Sequence, residues 1–124
     1  MNLFLDIDGT ICTLADGEYE LALPIWKRIR TVNRLYEQGH RITYWTARGS
    51  TTGIDWRGVT EEQLAEWGCK YHELRMGKPD YDLFICDKAV NAEHLEDVDK
   101  RCEPEEIVYG SDTETGRRVF RWTR

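Results

Sequence analysis

Apolar and polar positions change period several times along this chain. Leu3-Phe4-Leu5 is a short apolar run that reads as a buried strand. Side chains alternate along a strand, so Asp6 and Asp8 leave its end on one side while Ile7 points to the other. Gly9 then lets the backbone turn sharply. Residues 12–23 hold no period and contain the turn pair Asp16-Gly17, which predicts a loop or small hairpin beside the strand end. Between Pro24 and Gly39 the spacing becomes helical. Ile25, Ile29, Val32 and Tyr36 form one buried stripe there, widened by Trp26 and Leu35.

The β-formers Ile42-Thr43-Tyr44-Trp45 predict a second strand, ending at Thr46-Ala47-Arg48-Gly49. A loop with Ser50, Thr51 and Thr52 follows. Thr60 and Gln63 have capping-box spacing, with Val59 and Leu64 at staple positions, so a helix is expected to start at Thr60. It carries Leu64 and Trp67 on one face and stops at Gly68. Cys69–Leu74 suggests a short edge strand, and Gly77-Lys78-Pro79 punctuates. Leu83-Phe84-Ile85-Cys86 reads as a third buried strand ending at Asp87, and Asn91 as the cap of a helix through Val98. Alternating strands and helices imply parallel pairing with right-handed crossovers. The expected fold is α/β, a three-layer Rossmann-like parallel sheet with helices on both faces. Ligands bind beyond the carboxyl ends of the strands in such sheets.

At 124 residues the chain is one domain. Residues 1–102 read as its core and 103–124 as an extension rather than a second unit. In the extension, 107–109 and 119–122 flank a Gly-containing turn, the pattern of a β-hairpin. A formal charge of −6 argues against broad nucleic-acid or anionic-membrane binding. The first residues lack a basic leader, and no apolar run approaches the ~20 residues of a membrane span. The 4 cysteines form no Cys-x-x-Cys pair, so free thiols in a reducing cytoplasm are expected.

Two carboxylates as close as those of Asp6 and Asp8 repel. At ~4 Å and an effective dielectric of ~20 the cost is about 4 kcal/mol, which a cation or a shared proton has to relieve. Calcium loops also open on Asp-x-Asp-Gly, but Thr10 to Leu14 lack their further ligands. Taken alone, the stretch leaves site chemistry and a capped turn both open. Along the chain, however, Asp6 and Asp8, Thr46, Lys78 and Asp87 converge on one rim of the expected sheet.

This ordered set resembles the haloacid dehalogenase (HAD) superfamily of phosphohydrolases, with Asp-Ile-Asp-Gly-Thr-Ile, Thr-Ala-Arg, Lys78 and Asp87 as its four motifs. Trp-Thr-Ala-Arg, Gly-Lys-Pro-Asp-Tyr-Asp and Asp-Lys-Ala-Val-Asn are similar to small capless members near the capsule-biosynthesis phosphatases. The resemblance implies that Asp6 attacks phosphorus and forms an aspartyl-phosphate. Asp8 would serve as acid and then base, starting protonated, a state that repulsion from Asp6 and the incoming phosphate favours. Mg²⁺ would be held by Asp6, Asp87 and the Asp8 backbone carbonyl. Lys78 would share in neutralising charge, and Thr46 with the amides near Ala47 would position phosphoryl oxygens. Arg48 either reaches the phosphate or substrate or makes a surface ion pair. Members of this type often carry two adjacent acids in the fourth motif; Cys86 replaces the first here and is expected to pack as a small apolar residue.

Neither 12–41 nor 49–77 has room for a cap domain, which implies an open site. Resembling members cover such a site with a neighbouring subunit, so a homo-oligomer is expected, or act on large substrates. The local lid would be the 12–23 loop with 49–58, where Trp56 and Arg57 are candidate contacts. The expected substrate is a small phosphorylated metabolite, with a sugar phosphate as the first choice. A nucleotide or polynucleotide-end phosphatase is the alternative, because Arg117, Arg118, Arg121 and Arg124 interleave with Phe120 and Trp122. Nucleic-acid binding through 117–124 is the less favoured reading of that tail, against packing on the sheet edge or a subunit interface. From a different class, receiver domains use the same residue types around Mg²⁺ in another order, and a non-catalytic phosphate binder stays open.

Overall fold

A computed structural model describes residues 1–98 and the backbone of the strands 104–108 and 118–122. It is a mixed α/β structure. Its central sheet has three parallel strands in the order β1-β2-β3: β1 (Asn2–Leu5), β2 (Arg41–Trp45) and β3 (Glu73–Arg75). Leu3 stands beside Ile42 and Leu5 beside Tyr44, while Tyr44 in turn stands beside Leu74. Helix α1 (Trp26–Glu37) joins β1 to β2, and helix α2 (Arg57–Glu66) joins β2 to β3. The core gathers Ile7 and Ile11 from the turn after β1, Ile29, Val32 and Leu35 from α1, and Ile42 and Tyr44 from β2. Leu64, from α2, and Leu74, from β3, complete it.

The helical stripe of α1 is buried at Ile29, Val32 and Leu35, and Gly39 takes the positive φ (97°) that ends the helix. Trp26 does not widen it: the indole is 51% exposed, and Thr31 is buried instead, its hydroxyl donating to the Lys27 carbonyl at 3.1 Å. Helix α2 starts three residues before the expected Thr60. Asp55 accepts from the Arg57 backbone N–H at 3.0 Å and serves that end, so Thr60 and Gln63 are not a capping box. Both are buried and face the site described below. The edge strand is shorter than expected and lies at Glu73–Arg75. Asn91 caps as expected, accepting from the Glu93 N–H at 2.9 Å, but it opens a 3-10 turn (Ala92–Asp97) rather than an α-helix.

The largest departure concerns 83–86. No strand forms there; Leu83, Phe84 and Ile85 are exposed, as are Cys86 and Asp87. Four apolar residues suit a buried strand only if something pairs with them and covers them, and among the described residues the sheet ends at β1. Phe4 is accordingly 52% exposed, not buried as the apolar run suggested, and stacks edge-on against Trp45. Cys86 is not packed as a small apolar residue.

In the extension, β4 (Pro104–Val108) and β5 (Arg118–Trp122) pair antiparallel, with Pro104 beside Trp122 and Val108 beside Arg118. The connecting turn, Arg117, Arg124 and the side chains of Arg118, Phe120, Arg121 and Trp122 lie outside the described residues. Among the described residues no helix is long and apolar enough to cross a membrane.

Candidate functional site

The acidic stretch leaves β1 directly into a turn held from several sides. Gly9 adopts φ 78°, and the N–H groups of Thr10 and Ile11 both donate to the Ile7 carbonyl, at 3.1 and 3.0 Å. From α1, Arg28 donates to the carbonyls of Gly9 (3.1 Å) and Thr10 (3.2 Å), a contact that no sequence spacing marks. Ile7 is fully buried, as strand alternation requires, which leaves Asp6 and Asp8 on the other side.

Each carboxylate has its own cation. Lys78 Nζ lies 3.4 Å from Asp6 Oδ2, while Arg48 grips Asp8 with Nε to Oδ2 and Nη2 to Oδ1, both at 2.9 Å. The repulsion expected from the sequence is thus offset by one ammonium and one guanidinium. Asp6 Oδ1 also accepts from the Ile7 N–H at 2.8 Å.

Lys78 arrives by way of a backbone clamp. Its N–H donates to the Thr46 carbonyl at 3.0 Å, and Ser50 Oγ donates to the Lys78 carbonyl at 2.7 Å. Thr51 adds a 3.1 Å bond to Asp80. The loop after β2 and the loop after β3 are therefore tied into one rim. Burial depresses the Lys78 ammonium, but the Tyr81 contact and the Asp6 charge outweigh it, so its pKa stands above the usual lysine value.

Thr46 is fully buried at the end of β2. Its hydroxyl accepts from the Arg48 N–H at 3.1 Å and keeps its own O–H to donate. Ala47, half-buried in the same turn, accepts from the Ser50 N–H at 2.9 Å. Gly49 closes the next loop: at φ 81°, an added Cβ would stand 2.1 Å from the Ile54 carbonyl oxygen.

Arg48 does not make the surface ion pair weighed from the sequence; its carboxylate partner is Asp8, inside the fold. The arginine side chain is 0% exposed. Nη1 donates to Thr60 Oγ1 at 3.1 Å and to Gln63 Oε1 at 2.6 Å, and the Tyr19 ring lies over the guanidinium at 4.8 Å. Gln63 in turn donates to the Tyr19 carbonyl at 2.6 Å, and Tyr19 meets Trp56 edge-on. The 12–23 loop is thereby docked on α2 rather than hanging as a lid. Its base is closed by the Thr13 N–H to the Leu23 carbonyl and the Leu23 N–H to the Thr13 hydroxyl, each 2.9 Å, and it carries a 3-10 turn at Tyr19–Leu21 but no strand pair, so of the two expected forms it is the loop and not the hairpin. Burial, helped by the Asp8 charge, pushes the Cys12 thiol up to about 12, and the same two causes raise Tyr19.

Asp87 sits in an exposed turn with Cys86 Sγ 3.9 Å from its Oδ1. Among the described residues no group of three or more His, Cys, Asp or Glu side chains is gathered to hold a metal ion. His72 lies toward the other end of the sheet: its ring accepts from the Ile42 N–H and stacks on Tyr36. Arg57 is engaged by Glu61 and the Leu74 carbonyl. Trp56 does face the rim, where it lines a cavity of about 200 Å³ with Gly49, Ile54, Met76 and Gly77.

Comparison with known proteins gives a fold relative without a stated activity. The chain is similar to a structural-genomics target from Vibrio cholerae known by its crystal structure, with a TM-score of 0.69 and 26% identity over 77% of this chain and 86% of that one. No family model and no curated protein matches the chain.

Proposed function

We propose that this chain is a phosphomonoesterase of the HAD-like, capless type, acting through an aspartyl-phosphate on Asp6. The observation that carries the reading is a convergence of sequence-distant residues. Asp6 and Asp8 leave β1, and the loop that follows β3 brings Lys78 to 3.4 Å from Asp6 by bonding to the backbone of Thr46. A nucleophilic carboxylate, a second carboxylate for proton transfer and an ammonium for the phosphoryl charge thus share one strand-end rim.

In the proposed reaction, an Asp6 oxygen bonds to phosphorus as the ester P–O bond breaks, and Asp8 gives a proton to the departing oxygen. Water then bonds to phosphorus as the Asp6–phosphorus bond breaks, and Asp8 takes the water proton. Magnesium belongs to the proposal: the oxygen donors suit a hard divalent cation, which would neutralise phosphoryl charge when bound. Asp6, Asp87 and the Asp8 carbonyl would hold it, and among the described residues no three His, Cys, Asp or Glu side chains are gathered for it beforehand. The proposed substrate is a small phosphorylated metabolite such as a sugar phosphate, with its leaving group toward the Trp56 cavity. A second copy of the chain over the exposed Leu14, Leu21, Leu23 and Trp26, and a cytoplasmic setting for the free thiols, complete the reading.

The test is phosphate release from a panel of sugar phosphates, nucleotides and 3′-phosphorylated oligonucleotides, with and without Mg²⁺, by the native chain and Asp6→Asn. Metal-dependent release that Asp6→Asn abolishes supports the reading. Undiminished release by the variant removes the covalent route, and no release from any ester removes the activity.

A further inference from the structure

We infer that Arg48 is a positioning residue for Asp8, and that Thr60, Gln63 and Tyr19 hold Arg48 to that task. The kinetic consequence rests on the phosphatase reading; the structural one stands on geometry alone. A guanidinium has five N–H donors in a rigid plane and no acceptor. Here Nε and Nη2 take the two oxygens of Asp8, and Nη1 takes Thr60 Oγ1 and Gln63 Oε1. The remaining Nη2 hydrogen faces Cys12 Sγ, at 3.8 Å between nitrogen and sulfur. The Tyr19 ring covers one face of the plane. Every donor is committed, so none is left for a phosphate, and the fork acts on substrate only through the orientation it gives Asp8.

The far side of the guanidinium is fixed as firmly as the near side. The Thr60 hydroxyl donates to the Trp56 carbonyl at 2.8 Å, which turns its lone pairs toward Arg48. The Gln63 amide donates to the Tyr19 carbonyl, which turns its oxygen the same way. Two residues on α2 and one on the 12–23 loop therefore set the plane of a carboxylate at the end of β1, through one buried cation. Each carboxylate oxygen keeps a second lone pair outside the fork. The Asp8 side chain is 16% exposed, so a proton held on that pair can pass to a leaving oxygen, and the emptied pair can take one from a water, while the fork stays closed.

The experiment uses the full chain with Arg48→Lys, Thr60→Val and Gln63→Leu, the last two sparing the buried charge in case Arg48→Lys folds poorly. kcat/KM is measured with Mg²⁺ on phosphate monoesters from 4-nitrophenyl, whose phenolate leaves unaided, to simple alkyl esters, whose alkoxide needs a proton. A displaced proton donor costs roughly 100-fold on the alkyl esters for Arg48→Lys and roughly 10-fold for Gln63→Leu. The loss on the 4-nitrophenyl ester should be severalfold smaller in each case, because a merely structural defect lowers the whole series alike. A uniform loss, or none, overturns the inference. If the native chain cleaves no ester, the phosphatase reading fails separately, and a crystal structure of Gln63→Leu decides: an Asp8 carboxylate rotated from its native plane supports the positioning role, and an unmoved one overturns it.

Discussion

Arg48→Met removes a fully buried guanidinium and nothing else of comparable size. It leaves the Asp8 carboxylate without its fork and the oxygens of Thr60 and Gln63 without their donor. Breaking a buried ion pair from one side costs about 3–5 kcal/mol, because the remaining charge is still desolvated. Asp8 retains 16% exposure, so water compensates in part and the lower end, about 3 kcal/mol, applies. At roughly 3–5 °C per kcal/mol for a domain of this size, the melting temperature falls by about 10–15 °C. The assay is urea unfolding followed by both tryptophan fluorescence and far-ultraviolet circular dichroism, which must coincide for a two-state analysis. Lys27→Met is the control: it breaks the solvent-exposed pair with Glu96, at 3.0 Å, and should change stability by less than about 1 kcal/mol. In the double-mutant cycle with Asp8→Asn the two losses should fall short of adding, by about 1–3 kcal/mol. A cost for Arg48→Met as small as the control's would refute the claim that this pair is buried and mutually dependent.

Four further outcomes follow from the same geometry. Gly49→Ala should destabilise by about 2 kcal/mol or more and Gly17→Ala by about 1 kcal/mol, since both hold positive φ but only Gly49 lies against a backbone oxygen; urea midpoints measure the difference. Lys78→Met should cut kcat by about 100-fold while lowering stability by about 1 kcal/mol, since Asp6 is half-buried at 38% exposure and water replaces the lost ammonium in part. The folded state raises the lysine's pKa, so its stabilisation is complete below the ordinary value of 10.5 and lost as pH rises beyond that and through the folded value; denaturation of native and variant chains across pH 8–12 checks the sign. Iodoacetamide at pH 8 should modify exposed Cys86 in the native chain and spare Cys12 and Cys69 until urea is added, because burial pushes those thiols up to about 12 and about 11.

The parts of the fold legible in the sequence were those where local pattern and packing agree. Strand alternation placed Ile7 inward and Asp6 and Asp8 on the other side, and the spacing of Ile29 and Val32 marked the buried face of α1. Where several side chains compete for one role, the pattern misled. Thr60 and Gln63 lie three apart, which suits a capping box and equally suits two acceptors one helical turn apart on a buried face. What separates the two is Arg48, whose donors must find acceptors once it is inside. A sequence gives no sign that an arginine will be buried, so the Asp8–Arg48–Gln63–Tyr19 network could not be foreseen from it. The Leu83–Cys86 run shows the converse. Its composition suits a covered strand, yet a strand needs a partner edge, and composition does not supply one.

The central claim is that Asp6 becomes phosphorylated. The direct measurement is acid-quenched incubation of the native chain with Mg²⁺ and a turned-over phosphate ester, followed by peptide mapping by mass spectrometry. A single phosphoryl group on the peptide carrying Asp6, present during turnover and lost when substrate is exhausted, is the predicted result. Continuing turnover with no phosphoryl group on that peptide, or with the group on another residue, would contradict it.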